Sequence, residues 1–74
     1  MFYTYCIKNT TTFELYYGYT SDLRRRCREH GRAWELIYYE AYKHEDDARE
    51  RERKLKHYGN ARTHLKRRLS RSLK

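Results

Sequence analysis

An arginine and a histidine lie on the side of a predicted helix that should face the protein interior. In the segment TSDLRRRCREH, Leu23 and Cys27 are the apolar residues of a helix predicted over residues 22–30. Arg26 and His30 follow Leu23 by three and seven positions, so they share its stripe. Because burying an unpaired charge is unfavourable, such groups are expected to be paired, hydrogen-bonded or at the rim of a cleft.

A carboxylate occupies the equivalent position on the next predicted helix. Ala48 and Leu55 are seven positions apart, and Glu52 lies between them on the same stripe. The simplest structural explanation is an internal salt bridge between Arg26 and Glu52, with His30 capping a neighbouring group. Together with tyrosines on the sheet, the three inward ionisable groups instead favour a polar cleft.

Tyrosines on two predicted strands supply hydroxyl groups. Alternation places Tyr3, Tyr5 and Ile7 on one face of the first strand, and Tyr16 and Gly18 on one face of the second. The glycine predicts a bulge, or a close approach by a ligand or another backbone. Each tyrosine alone is more often a core residue, but the whole set fits phosphodiester hydrolysis. There, an arginine orients the phosphate, a carboxylate holds a divalent metal ion, and a phenol or imidazole deprotonates the attacking water.

Short elements must position these residues. The sequence predicts strands over residues 2–8, 13–19 and 34–43, and helices over residues 22–30, 45–57 and 61–71. Ser21 is expected to cap the first helix, Gly31 to end it, and Asn60 to cap the last. The order β-β-α-β-α-α predicts one domain over residues 1–74, of the α/β class in its α+β form, with helices packed on a small, mostly antiparallel sheet.

The positive charge is concentrated in the C-terminal part of the chain. The net charge is +8, and residues 48–74 contribute +9 from eleven basic and two acidic residues, whereas residues 1–47 contribute −1. Such a basic region is typical of proteins that bind polyanions, although a solvated surface explains it equally well. An anionic membrane requires a broader apolar stripe than Leu65, Leu69 and Leu73 provide.

Cysteine content and hydropathy favour a cytoplasmic protein. Cys6 and Cys27 are too few for a disulfide framework, and with four scattered histidines they form no zinc motif. The N-terminal pattern is not that of a signal peptide, and no apolar run has the length of a membrane span.

Several motifs follow one another in an order that is typical of one nuclease family. YTYCI contains Tyr5, LYYGYT contains Tyr16, and TSDLRRRCREH contains Arg26 and His30. WELIYYEAY follows as the third strand, and ARERERKLKHYG contains Glu52. The chain thereby resembles GIY-YIG endonuclease domains of the small, single-domain bacterial type, similar to the nuclease domain of the excision-repair endonuclease. The resemblance spans nearly the whole chain and implies a three-stranded antiparallel sheet flanked by helices.

The resemblance also implies a mechanism that uses one metal ion. Glu52 would bind Mg²⁺ or Mn²⁺, Arg26 would clamp the phosphate and Tyr16 would activate the attacking water. Tyr5 and His30 would position that water or relay its proton. DNA is the expected substrate and RNA the alternative, and a protein partner or a homodimer is left open.

The chain departs from the family pattern at three places. The glycine and isoleucine of the first half-motif are Tyr3 and Thr4, and the isoleucine of the second is Tyr17, which is tolerable because Tyr5 remains. Tyr19 and Thr20 occupy the position where some relatives carry a lysine, so a lysine-assisted base is not expected. Only residues 31–33 separate the predicted first helix from the third strand, where similar domains usually have a longer loop. This change affects substrate grip rather than the site residues. Asn60 is the nearest candidate for the polar residue that often closes such sites.

Two further functions compete with the nuclease. A nucleic-acid-binding module would retain the basic surface but cleave little or nothing, and its affinity would fall steeply with salt. The expected nucleic-acid contacts of the nuclease are Arg25, Lys54, Lys56, Arg62, Lys66 and Arg67. Binding without hydrolysis would rest on the basic residues of the last two helices, which are Lys54, Lys56, Arg62, Lys66, Arg67, Arg68 and Arg71. A basic scaffold domain would explain the charge but not the inward polar residues, and these favour the enzyme.

Overall fold

The first two strands form a hairpin. In a computed structural model that describes residues 1–74, β1 spans Phe2–Asn9 and β2 spans Leu15–Thr20. The Asn9 side chain accepts hydrogen bonds from two backbone N–H groups of the turn, at 2.9 and 3.0 Å, and thereby fixes it. The sequence predicts that the second strand starts at Phe13, but this residue has a φ of 63° and still belongs to the turn.

The three strands form an antiparallel sheet in the order β2-β1-β3, with β3 at Trp34–Tyr42. β1 is the central strand, and its residues 4–8 are all buried. Tyr5 in its middle pairs with Gly18 of β2 and with Tyr39 of β3. The predicted α+β fold, with the element order β-β-α-β-α-α and an antiparallel sheet, is therefore confirmed.

β3 contains one extra residue relative to β1. Tyr38 pairs with Cys6 and Leu36 pairs with Ile7, so Ile37 forms a bulge between them. Ile37 and Tyr38 both pack on the hydrophobic core, and the residues before and after them point to the opposite face. The sequence alone did not predict this bulge.

The first helix, α1, spans Leu23–His30 and lies on the Tyr5 face of the sheet. Its N-cap is Asp22 rather than the predicted Ser21, since the Asp22 backbone is still extended and its carboxylate accepts a first-turn N–H at 3.1 Å. The helix therefore begins one residue later than predicted. Gly31 ends it as expected, with a φ of 87°.

Two further helices cover the other face of the sheet. α2 spans Glu45–His57 and α3 spans Gly59–Arg68. The hydrophobic core lies here, where α2 and α3 pack on β1 and β2 through Cys6, Tyr17, Leu55 and Leu65. Full burial of a large apolar side chain contributes about 1.5–3 kcal/mol, so these few residues dominate the stability of the fold. None of the helices has the length and apolar character needed to cross a lipid bilayer.

α3 begins earlier than the predicted range, 61–71, and Asn60 is not its cap. Tyr58 is the last extended residue, and no side chain caps the helix. The junction is instead closed by Arg62, whose Nη1 donates to two carbonyl groups in the last turn of α2, at 2.9 and 2.7 Å. These bonds satisfy carbonyls that a helix end leaves free.

Glu40 connects β3 to α2. Its carboxylate accepts hydrogen bonds from the hydroxyl groups of Tyr38 and Tyr42 and lies 3.0 Å from Nε of Arg51. Burial alone would raise the pKa of Glu40, but these hydrogen bonds and the guanidinium charge outweigh it and lower the pKa. The carboxylate is thus held ionised as a structural link, which the sequence reasoning did not foresee.

Candidate active site

Tyr5, Arg26 and His30 form one hydrogen-bonded cluster under α1. The Tyr5 hydroxyl lies 2.9 Å from Nε2 of His30, and Nε of Arg26 donates to the same hydroxyl at 3.3 Å. The hydroxyl accepts from the guanidinium, and its bond with His30 is formed either by its own proton or by a proton on Nε2, according to the tautomer of the imidazole. The four-residue spacing on α1 thus brings both side chains to one buried phenol.

Gly18 makes room for this phenol. A Cβ atom at position 18 would lie 2.4 Å from both Cζ and the hydroxyl oxygen of Tyr5, so any side chain would displace the ring. The sequence predicted at this glycine a bulge, or a close approach by a ligand or another backbone. The group that comes close is the Tyr5 ring, and the β1–β2 pairing continues without a register shift.

Tyr16 is the most accessible tyrosine of this cluster. Its ring centroid lies 5.3 Å from that of His30 and 6.5 Å from that of Tyr5. Trp34 adds a further ring, 6.5 Å from Tyr16 and 6.4 Å from His30. The Tyr16 residue is 37% exposed while Tyr5 is buried, so Tyr16 is the phenol that a ligand can reach.

Glu52 is connected to Tyr16 through a lysine. Nζ of Lys56 lies 3.1 Å from Oε2 of Glu52 and 5.3 Å from the centroid of the Tyr16 ring. The alternative that the sequence left open, an Arg26–Glu52 salt bridge, is not formed, because Arg26 pairs with Glu29 at 3.2 Å. Lys56 thus links the carboxylate of Glu52 on α2 to the Tyr16 ring on β2.

Burial and the guanidinium charge set the protonation states. Burial raises the pKa of Tyr5, and the hydrogen bond from Arg26 offsets this only in part. Burial also lowers the pKa of His30, and Arg26 acts in the same direction, whereas Glu29 opposes it. Hydrogen bonds to Tyr5 and Glu29 raise the pKa of Arg26. At neutral pH the cluster therefore contains a neutral phenol, a neutral imidazole and a cation.

The basic residues predicted to bind nucleic acid are spread over three helices. They are Arg25 on α1, Lys54 and Lys56 on α2, and Arg62, Lys66 and Arg67 on α3. Lys56 lies beside Tyr16. Arg62 is hydrogen-bonded to carbonyl groups at the end of α2. Together with Lys66 it lines a separate cavity of about 480 Å³. Arg25, Lys54, Lys66 and Arg67 are exposed. Asn60 is also exposed, in the first turn of α3, and makes no hydrogen bond to the cluster.

Three neighbours of the cluster were not assigned to it from the sequence. Glu29 and Lys56 carried a usable signal, because they follow Arg26 and Glu52 by three and four positions on a helix. Trp34 carried none, since the face on which it lies depends on the pairing of β3 with β1 and not on local spacing.

Glu52 is the residue that could hold a divalent cation near Tyr16. No group of three or more His, Cys, Asp or Glu side chains is arranged as a metal cluster. Mg²⁺, however, is commonly bound through one or two carboxylates, with water and substrate phosphate oxygens completing its coordination. The Glu52 side chain is 25% exposed and only its Oε2 pairs with Lys56, so the donor set fits this mode.

The N-terminal part of the chain matches a known family. The two phenols of the sheet, the arginine and imidazole of α1 and the carboxylate of Glu52 on α2 are groups of the kinds that phosphodiester hydrolysis can use. Residues 1–33 match the family model described as the GIY-YIG catalytic domain. This match confirms the resemblance to the GIY-YIG family, and a GIY-YIG catalytic domain is in general a nuclease domain. It covers β1, β2 and α1, while Glu52 lies outside it. No curated protein and no solved structure matches the chain.

Proposed function

We propose that the chain is a metal-dependent endonuclease that hydrolyses phosphodiester bonds of nucleic acid, with DNA as the expected substrate. The observation that carries the proposal is the shared hydrogen bonding of the Tyr5 hydroxyl by Arg26 and His30, directly beside the exposed Tyr16. A core tyrosine needs only one hydrogen-bond partner, so a cation and an imidazole on one phenol favour a chemical role.

Tyr16 is the group that we propose to orient and deprotonate the attacking water. It is exposed, and its ring lies 5.3 Å from that of His30. The lowered pKa of His30 keeps this imidazole neutral at neutral pH. One ring nitrogen of His30 is therefore unprotonated and can take up a proton, while the ring stays hydrogen-bonded to Tyr5. General acid–base assistance of this kind contributes about 10²–10⁴-fold to the rate.

Arg26 is proposed to clamp the phosphate. Its Nε donates to Tyr5 and its Nη1 to Glu29, and these two bonds fix the plane of the guanidinium. Nη2 takes part in neither bond and is left for a phosphate oxygen. Because the cation is held in place before the substrate arrives, it stabilises the transition-state charge without reorganisation.

Glu52 would hold the Mg²⁺ or Mn²⁺ ion. When bound, such an ion neutralises the negative charge that develops on the leaving oxygen. Glu52 would then release Lys56, whose ammonium group lies over the Tyr16 ring and would become free to contact a substrate phosphate. The ion pair therefore keeps the carboxylate compensated until metal and substrate bind.

A second candidate function is nucleic-acid binding without hydrolysis. The Glu52–Lys56 ion pair favours it, since the ammonium group of Lys56 compensates the charge of the carboxylate at 3.1 Å. The exposed basic side chains of α2 and α3 would supply the affinity.

The two functions are separated by Glu52→Gln, with Glu50→Gln as the matched control. Glu50 lies on the same helix and is exposed, and it pairs with Arg53 rather than with the cluster. Labelled flaps, forks, single strands and RNA are incubated with Mg²⁺ or Mn²⁺. We expect Glu52→Gln to lower the cleavage rate about 100-fold or more, while binding without metal stays within about twofold.

The control fixes the interpretation of the result. Glu50→Gln should cleave at the rate of the unmodified chain. Equal rates for the two variants would remove Glu52 from the mechanism. If the unmodified chain cleaves no substrate of the panel, nucleic-acid binding without hydrolysis replaces the nuclease.

A further inference from the structure

An open groove lies between α1 and β3, on the same face of the sheet as Tyr5. Its volume is about 960 Å³. The sheet contributes Tyr3, Leu36 and Tyr39 to its lining, and α1 contributes Leu23 and Cys27. The groove exists because α1 has only eight residues, so that it leaves part of this sheet face uncovered. None of its lining residues takes part in the cluster of the candidate active site.

The bulge in β3 orients the ring of Tyr39 toward this groove, where it forms an aromatic platform. Tyr39 and Leu36 lie on either side of the bulge, and they therefore share one face of the sheet. Tyr39 is 53% exposed, although it pairs with the buried centre of β1. Tyr3 contacts it edge to face, with ring centroids 6.0 Å apart, and so supports the ring while leaving half of its surface accessible.

Positive charge is in excess along the groove, where three arginines are accompanied by one aspartate. Arg24 and Arg28, four positions apart on α1, line it together with Arg32 from the connection to β3. None of the three takes part in a salt bridge. Asp22 also lies at the lining, but its carboxylate is engaged in capping α1. An anionic occupant with an apolar or aromatic part is therefore complementary to this surface.

We infer that the groove binds a single-stranded segment of nucleic acid, with an unpaired base stacked on Tyr39 and its phosphates on Arg24, Arg28 and Arg32. Aromatic platforms flanked by cations are the usual means of binding single strands, because every base has a face that stacks. A duplex does not suit the groove, since its bases already stack on one another. A second copy of the chain would oppose three arginines with three more.

This inference rests on the proposed function, because it names the substrate class of the nuclease: nucleic acid with an unpaired strand beside the cleaved bond. The binding itself is tested without metal, so that no cleavage occurs. Fluorescence anisotropy is measured for a labelled strand of about twelve thymidines and for a duplex of the same length. The variants are Tyr39→Ala, Tyr39→Phe and, as the matched control, Tyr58→Ala, which changes a tyrosine that is 52% exposed but outside the groove.

We expect Tyr39→Ala to weaken single-strand binding by about 5- to 100-fold and duplex binding by less than about twofold, because stacking is lost for the unpaired base alone. Tyr39→Phe keeps the ring and should retain the affinity, and Tyr58→Ala should change nothing. Replacing Arg24, Arg28 and Arg32 with glutamine should reduce the salt slope of single-strand binding by about 2, from about 0.7 for each phosphate contact.

The inference is overturned if Tyr39→Ala weakens single-strand and duplex binding equally, or weakens neither. It is also overturned if sedimentation shows a dimer that Tyr39→Ala dissociates, since the groove would then hold a second copy. Failure of the proposed nuclease gives a different result, in which Tyr39 still governs single-strand binding while the unmodified chain cleaves nothing with Mg²⁺ or Mn²⁺. Cleavage of duplexes at equal rates by the unmodified chain and by Tyr39→Ala would refute the unpaired strand as the substrate of the nuclease and preserve the nuclease.

Discussion

Replacing Gly18 with alanine tests whether the site depends on the Tyr5 ring lying against β2. The new Cβ would lie 2.4 Å from Cζ and from the hydroxyl oxygen of Tyr5, and 2.8 Å from Cε1. Carbon atoms in contact are separated by about 3.5–4.0 Å, so the ring must move by about 1 Å. Such a shift would stretch the bond of 2.9 Å to His30 and the bond of 3.3 Å to Arg26 beyond useful hydrogen-bonding distance.

The expected loss of stability follows from these two effects. Overpacking of this kind lowers the free energy of unfolding by about 1–3 kcal/mol, and a buried hydroxyl without partners costs about 1–3 kcal/mol more. The better strand propensity of alanine returns about 0.5–1 kcal/mol. We therefore expect a net decrease of about 1–5.5 kcal/mol, measured by urea unfolding with circular dichroism. Trp34 provides a second signal, because this single tryptophan lies beside His30.

Gly59→Ala is the matched control. A Cβ at position 59 meets only Nη2 of Arg62, at 3.9 Å, so this substitution should be neutral or stabilise the first turn of α3 by up to about 1 kcal/mol. The clash itself is isolated in a Tyr5→Leu background, where Gly18→Ala should be nearly neutral. Equal losses in both backgrounds, or a Gly18→Ala variant as stable as Gly59→Ala, would refute the reasoning.

Two predictions concern polar groups elsewhere in the fold. The Tyr17 hydroxyl is buried without a hydrogen-bond partner, and the nearby Cys6 thiol is at most a weak acceptor. Tyr17→Phe should therefore raise the free energy of unfolding by about 1 kcal/mol, whereas a decrease would show that the hydroxyl is hydrogen-bonded. The lowered pKa of Glu40 means that its stabilisation is complete above the ordinary carboxyl pKa and is lost as the pH falls through the lowered value. Glu40→Gln should therefore lower the free energy of unfolding by about 1–3 kcal/mol at pH 7 and by progressively less as the pH falls below the ordinary carboxyl pKa of about 4. A difference that stays constant in urea titrations as the pH is lowered would contradict the assignment.

The element order could be predicted from the sequence because each element carries its own local signal. The aromatic strands, the acidic first turn of α2 and the glycine that ends α1 are all readable without tertiary context. The starts of the elements were less predictable, since they depend on single backbone conformations. Phe13 extends the hairpin turn with a positive φ, and Asp22 stays extended where Ser21 could equally have capped the helix.

The site was predictable only as far as helix spacing reaches. The spacing on α1 places Arg26 and His30 on one stripe, and in the structure both contact the Tyr5 hydroxyl, but the spacing could not decide the partner of Arg26. Glu29 lies three positions from Arg26 on the same helix, so the helix itself brings the two side chains together. Glu52 likewise pairs with Lys56 on its own helix. Local ion pairs thus replaced the long-range one that was considered.

Strand register decides which tyrosines serve the core and which serve the site. Successive residues of β1 point to opposite faces, so Cys6 packs with α2 and α3 while Tyr5 meets α1. A slip of one residue would exchange these faces and move the phenol into the apolar core. Gly18 opposes such a slip, because it is the one β2 residue that accepts a ring above it. On β3, the bulge at Ile37 shifts the alternation of side chains by one residue, so that Tyr39 lies on the same face as Tyr5. The hydrogen-bonded cluster and the basic groove therefore depend on one pairing register, and a variant that shifts it should lose both together.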